Sequence, residues 1–123
     1  LIAASVFEFQ AYENPDQDLN RLWSRLRAKY MFVPENETPQ WAAQSIYTTH
    51  PIYLQNYVLA ETIAAQTIAY LKEKYGKLLG NTEVSKFLIQ NYYSPGASID
   101  WPERIRKATG RKLGAKDLVR ELT

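Results

Sequence analysis

The sequence predicts an all-α fold of about six to seven helices around one long central helix. Three observations predict it. No segment sustains the period-two alternation of a half-buried strand. Helix-opening and helix-closing residues recur along the chain. The stretch from His50 to Gly76 carries Ile52, Leu54, Val58, Leu59, Ile63, Ala64, Ala65, Ile68, Ala69 and Leu71 around nearly its whole circumference, the pattern of a helix needing neighbours on several sides. Gln55, Asn56, Glu61, Gln66 and Thr67 interrupt that run, which argues against a membrane span.

The central helix is expected to start at Pro51, with Thr49 or His50 as cap, and to stop at Gly76 after Lys72 and Lys74. Upstream, Leu1–Glu13 reads as a helix with Val6, Phe7, Phe9 and Ala11. Asn14-Pro15-Asp16 closes it and opens a second amphipathic helix, with Asn14 as cap. In that helix Leu19, Leu22, Trp23, Leu26 and Tyr30 recur at spacings of three and four. The short connection makes the first two helices an antiparallel pair. Met31–Pro39 is a loop. Thr38 is expected to cap a short helix, Pro39–Ser45, anchored by Trp41. Downstream, Thr82 is expected to cap a helix over Glu83–Asn91, and Ser94–Ser98 is a turn. Asp100, Pro102 and Glu103 open a helix ending at Thr109-Gly110. Ala115–Leu122 closes the chain.

With 123 residues, the chain fits one domain, 1–123. Hydrophobic residues make up 46%, enough for a packed core. No cysteine is present, which excludes disulfides and thiolate metal sites and is compatible with a cytoplasmic location. One histidine excludes a cluster of histidine ligands. Nothing resembles a signal peptide. The abrupt start at Leu1 reads as the inside of a helix, so the chain is expected to be the C-terminal part of a longer polypeptide. The net charge of +2 gives no pointer to a partner. From Asp100 onward seven Lys or Arg face four acids. That is too sparse, and too poor in interleaved aromatics, for a nucleic-acid surface. ATGRKLG lacks the glycine spacing of a phosphate loop.

His50, Tyr53 and Tyr57 are the candidate site. On one helix, offsets of three and seven residues put both tyrosines within about 60° of His50. A histidine at a helix N-terminus is biased toward its neutral form. Neutral imidazole and phenols all donate hydrogen bonds, and one good donor to an oxyanion is worth roughly 3 kcal/mol. The alternative is a half-buried histidine beside two core tyrosines. Glu61, a lone acid on an apolar helix, is expected to find a buried arginine partner or to act as a functional carboxylate.

Three runs carry a family resemblance: EFQAYENPDQDLNRLWSRLRAKY, THPIYLQNYVLAETIAAQ and KFLIQNYYSPGASIDWPERIRKATGRKLG, the last containing W-x-x-x-(I/L)-x-x-x-T-G-x-x-L from Trp101 to Leu113. Together they resemble the C-terminal region of zinc metallopeptidases related to thimet oligopeptidase and oligoendopeptidase F. The resemblance implies a mostly helical, gluzincin-type peptidase fold with a deep channel. It also implies one zinc held by a His-Glu-x-x-His helix and a later Glu, with the first Glu activating water. His50 matches the family's substrate-binding histidine, and Tyr57 the first of its oxyanion tyrosines. In many relatives a further tyrosine follows three residues on; here that position is Ala60, which leaves Tyr53 and Tyr57 both open as oxyanion donor. No His-Glu-x-x-His occurs in these residues. The chain alone is therefore expected to bind no zinc and to be inactive. Its expected partners are an oligopeptide substrate and the remainder of its own polypeptide, with no nucleic acid and no membrane. A homodimer of the isolated chain is a further expectation. The alternative function is a non-catalytic helical domain that binds a protein partner.

Overall fold

The computed structural model describes residues 1–123 and contains seven α-helices and no strand. These are α1 (Ile2–Glu13), α2 (Leu19–Met31), α3 (Ile46–Thr49), α4 (Gln55–Tyr75), α5 (Thr82–Leu88), α6 (Trp101–Thr109) and α7 (Lys116–Leu122). The all-α expectation holds. No helix is long and apolar enough to cross a membrane. The chain divides into two compact units, Leu1–Leu59 and Ala60–Thr123.

In Leu1–Leu59, α1 ends where expected. Asn14, forced toward extended backbone by the following proline, sits at φ −140° and ψ 85°. The next helix starts later than the sequence suggests. Asp18, not Asn14, is its cap and accepts the Arg21 N–H at 3.0 Å. Gln17 occupies the linker and donates to the carbonyls of Gln10 and Asn14. The core is aromatic. Phe7 is 1% exposed and meets the rings of Trp23, Trp41 and Tyr47 at centroid distances of 5.1, 5.5 and 5.3 Å. Leu22, Leu26 and Leu54 complete it. Trp41 anchors its segment as expected, donating from Nε1 to Asn20 at 2.9 Å. That segment is a single 3-10 turn, Gln40–Ala43, without a side-chain cap, so the predicted Thr38-capped helix is corrected.

The central helix is also shorter than predicted. It begins at Gln55, not Pro51, because two features break the run. Ile52 adopts φ +55°, a left-handed conformation that a β-branched residue cannot carry into a right-handed helix. The Leu54 N–H is taken by the Glu8 carboxylate at 3.1 Å, across 46 residues of sequence. The residues just before that point form their own short helix, α3, instead of a lead-in to α4.

In Ala60–Thr123, the larger part of α4 packs with α5 and α6. Leu71, Val84, Phe87 and Ala108 are buried, with Tyr70, Tyr75 and Tyr92 against them. Burial along α4 is one-sided: Thr62, Ala65, Gln66, Thr67 and Leu71 face inward, while Ala60, Glu61 and Ala64 are exposed. Two residues read from sequence as interruptions are therefore among the most buried. Gln66, 1% exposed, donates to Thr109 Oγ1 at 2.9 Å and accepts the Gly114 N–H at 3.1 Å. Thr67 shares a 2.6 Å hydrogen bond with the Tyr92 hydroxyl. These bonds answer the polar groups that burial takes from water. The α5 cap is Asn81, one residue earlier than predicted, accepting from Glu83 N–H. The helix ends at Leu88 and gives way to a π-helical turn, Ile89–Tyr93. Asp100 and Gly110 bound α6 as the sequence implies, although Asp100 makes no side-chain capping bond.

Candidate functional site

His50, Tyr53 and Tyr57 lie together, by a different route from the one the sequence suggests. His50 is the residue after α3, not the start of the long helix. Its N–H donates to Ile46 C=O at 3.1 Å, and its Nδ1 lies 3.0 Å from Thr49 Oγ1. His50 therefore caps the C-terminal end of α3 and does not sit at the positive N-terminus expected from the sequence. Tyr53 sits in the turn between α3 and α4, just after the left-handed Ile52. Tyr57 is in the first turn of α4. The turn bends the chain so that the rings form one row. The His50 and Tyr53 centroids are 5.6 Å apart, and Tyr53 and Tyr57 are also 5.6 Å apart, edge to face.

The row faces outward. His50 is exposed, and Tyr53 and Tyr57 are 40% and 45% exposed. In this chain neither tyrosine belongs to the buried core. Each ring contacts its neighbour at a favourable aromatic distance, and all three side chains are exposed. A left-handed, β-branched residue within the row is strain of the kind that surrounding structure must maintain.

Glu61, one turn beyond Tyr57, is exposed and enters no ion pair. The expected buried salt bridge is absent because the carboxylate never leaves water. In the basic tail, several cations are committed internally. Arg104 binds the carbonyls of Gly96 and Ile99, Arg106 forks onto Glu103, and Arg111 pairs with the buried Asp117 at 2.6 Å. No group of three His, Asp or Glu side chains that could hold a metal ion is found.

Sequence reasoning missed a second polar constellation in the same unit. Glu8 and Tyr47 are 1% and 6% exposed. Glu8 Oε1 and the Tyr47 hydroxyl have no hydrogen-bond partner. Burial, and secondarily the Glu8 carboxylate, pushes the Tyr47 phenol up to about 12. One signal was legible: Glu8 follows Ala4 by four residues and precedes Ala11 by three, so helical spacing sets a charge on the apolar face.

Comparisons with protein-family models, curated proteins and solved structures find no match.

Proposed function

We propose that this chain is the substrate-binding helical part of a zinc-dependent oligopeptidase, one wall of a larger gluzincin-type fold. The observation that carries the reading is the exposed row of His50, Tyr53 and Tyr57. Three successive hydrogen-bonding rings, each in contact with the next, offer repeated donors to a peptide backbone. In this role His50 and Tyr53 hold substrate carbonyls, and the Tyr57 hydroxyl donates to the oxyanion that forms as the peptide bond is attacked. Zinc and the water-activating glutamate belong to residues outside this chain. The sequence resemblance described above supports the same assignment.

The runner-up is a non-catalytic helical module for a protein partner. The exposed apolar side chains Ile2 and Phe9 on α1 favour it. The two readings separate on the polypeptide that includes the upstream residues. The peptidase reading expects a His-Glu-x-x-His helix there and cleavage of oligopeptides. Tyr57→Phe should then lower turnover by about ten- to a thousandfold with the fold unchanged. Unchanged turnover removes the oxyanion role, and absence of the zinc helix favours the interaction module.

A further inference from the structure

Three helices of the Ala60–Thr123 unit each carry a lysine in their last turn: Lys74 on α4, Lys86 on α5 and Lys107 on α6. A cation there answers the negative end of the helix dipole, which accounts for each lysine singly. It does not account for their meeting around one cavity of about 280 Å³. The open surface of that cavity is mostly polar, and all three lysines are exposed. The charged groups are therefore within reach of a ligand.

The charges of this cavity are unbalanced. Glu83 is the one carboxylate in its lining, against three ammonium groups, and Lys86 engages it at 2.8 Å. Lys107 Nζ lies 3.9 Å from Glu103, whose carboxylate is already forked onto Arg106. Lys74 enters no ion pair. Its ammonium lies 5.6, 5.1 and 5.7 Å from the ring centroids of Tyr70, Tyr75 and Phe87, which attract it without neutralising it. The π-helical turn Ile89–Tyr93 brings two amides, Gln90 and Asn91, to the same lining. Turns of this kind recur at functional sites.

We propose that this cavity binds a small sugar phosphate, its phosphate monoester received by Lys74, Lys86 and Lys107. Three ammonium groups and one carboxylate leave two positive charges unanswered, and a phosphate monoester carries about −1.5 to −2 at pH 7. Lysine serves phosphate as a point charge. The cavity has more room than a bare phosphate fills, and its polar surface, with the Gln90 and Asn91 amides, suits hydroxyl groups rather than hydrocarbon. The inference is independent of the peptide-binding reading, because none of the three rings of that row lines this cavity.

The test is calorimetric or NMR titration of the purified chain, at fixed ionic strength, with glucose 6-phosphate, glucose and inorganic phosphate. Glucose 6-phosphate should bind about tenfold or more tightly than either of the others, since charge-assisted bonds and the hydroxylated body each contribute. Lys74→Gln and Lys107→Gln should each weaken it by about fivefold. Glu83→Gln removes the opposing carboxylate and should tighten it. Lys116→Gln lowers the net charge equally, at an exposed position outside the lining, and should change nothing. Equal binding of glucose 6-phosphate and glucose, or of glucose 6-phosphate and inorganic phosphate, overturns the proposal. So does a loss in Lys116→Gln as large as in Lys74→Gln, which would reduce the effect to overall charge.

Discussion

The two units solve the burial of polar atoms differently. Five buried side-chain polar atoms lack a hydrogen bond, and four of them, on Ser5, Glu8, Trp23 and Tyr47, lie in Leu1–Leu59. The fifth is Arg104 Nε, whose guanidinium is otherwise bonded to two carbonyls. In Ala60–Thr123 the buried amide of Gln66 binds Thr109 on α6 and Gly114 before α7, so α4 is latched at both of its polar atoms. A satisfied network fixes one arrangement of a core, whereas an unsatisfied buried group destabilises it. The exposed ring row of His50, Tyr53 and Tyr57 lies in Leu1–Leu59, the unit that holds four of those five atoms.

In Leu1–Leu59 the aromatic core depends most on Phe7. Phe7→Ala removes the ring that three others contact and should cost about 3–5 kcal/mol, read from denaturant unfolding. A loss well under 2 kcal/mol would mean that the rings do not depend on Phe7. In the other unit, Gln66→Leu keeps the volume but leaves the Gly114 N–H without its acceptor. It should cost about 2 kcal/mol and speed amide exchange at Gly114. No change in exchange there would show that the latch is not formed. The smallest effect concerns Tyr47. Its folded pKa of about 12 lies above the ordinary value near 10, so the folded state holds this proton more tightly. That contribution is fully present below about pH 10 and is lost as pH rises toward 12. Tyr47→Phe should flatten the decline across this window and, by removing a buried hydroxyl that has no partner, should raise neutral-pH stability by about 1 kcal/mol. An unaltered decline would assign it to other groups. Tyr92 in the second unit, also raised chiefly by burial, is the control.

Helix-ending signals that act locally were legible in the sequence. Pro15 stops α1, and Gly110, at φ +75°, stops α6. The all-α class followed from such signals and from periodicity. What was not legible depends on partners far along the chain. The start of α4 moved because Glu8 takes the Leu54 N–H. Gln66 read as an interruption because its partners lie 43 and 48 residues away. The candidate site was legible as residue types, His50 with Tyr53 and Tyr57. Its geometry was not, because the turn at Ile52 replaces the helix that was expected to carry all three.

The proposed role of this row is to present hydrogen-bond donors to a peptide. The direct measurement is an aromatic ¹H–¹³C NMR titration of the chain with an unstructured oligopeptide. The account predicts that the ring resonances of His50, Tyr53 and Tyr57 shift together along one saturating curve, while those of Phe7 and Phe87 stay in place. Peptide-induced shifts confined to other residues, or no shift in these three rings at saturating peptide, would contradict it.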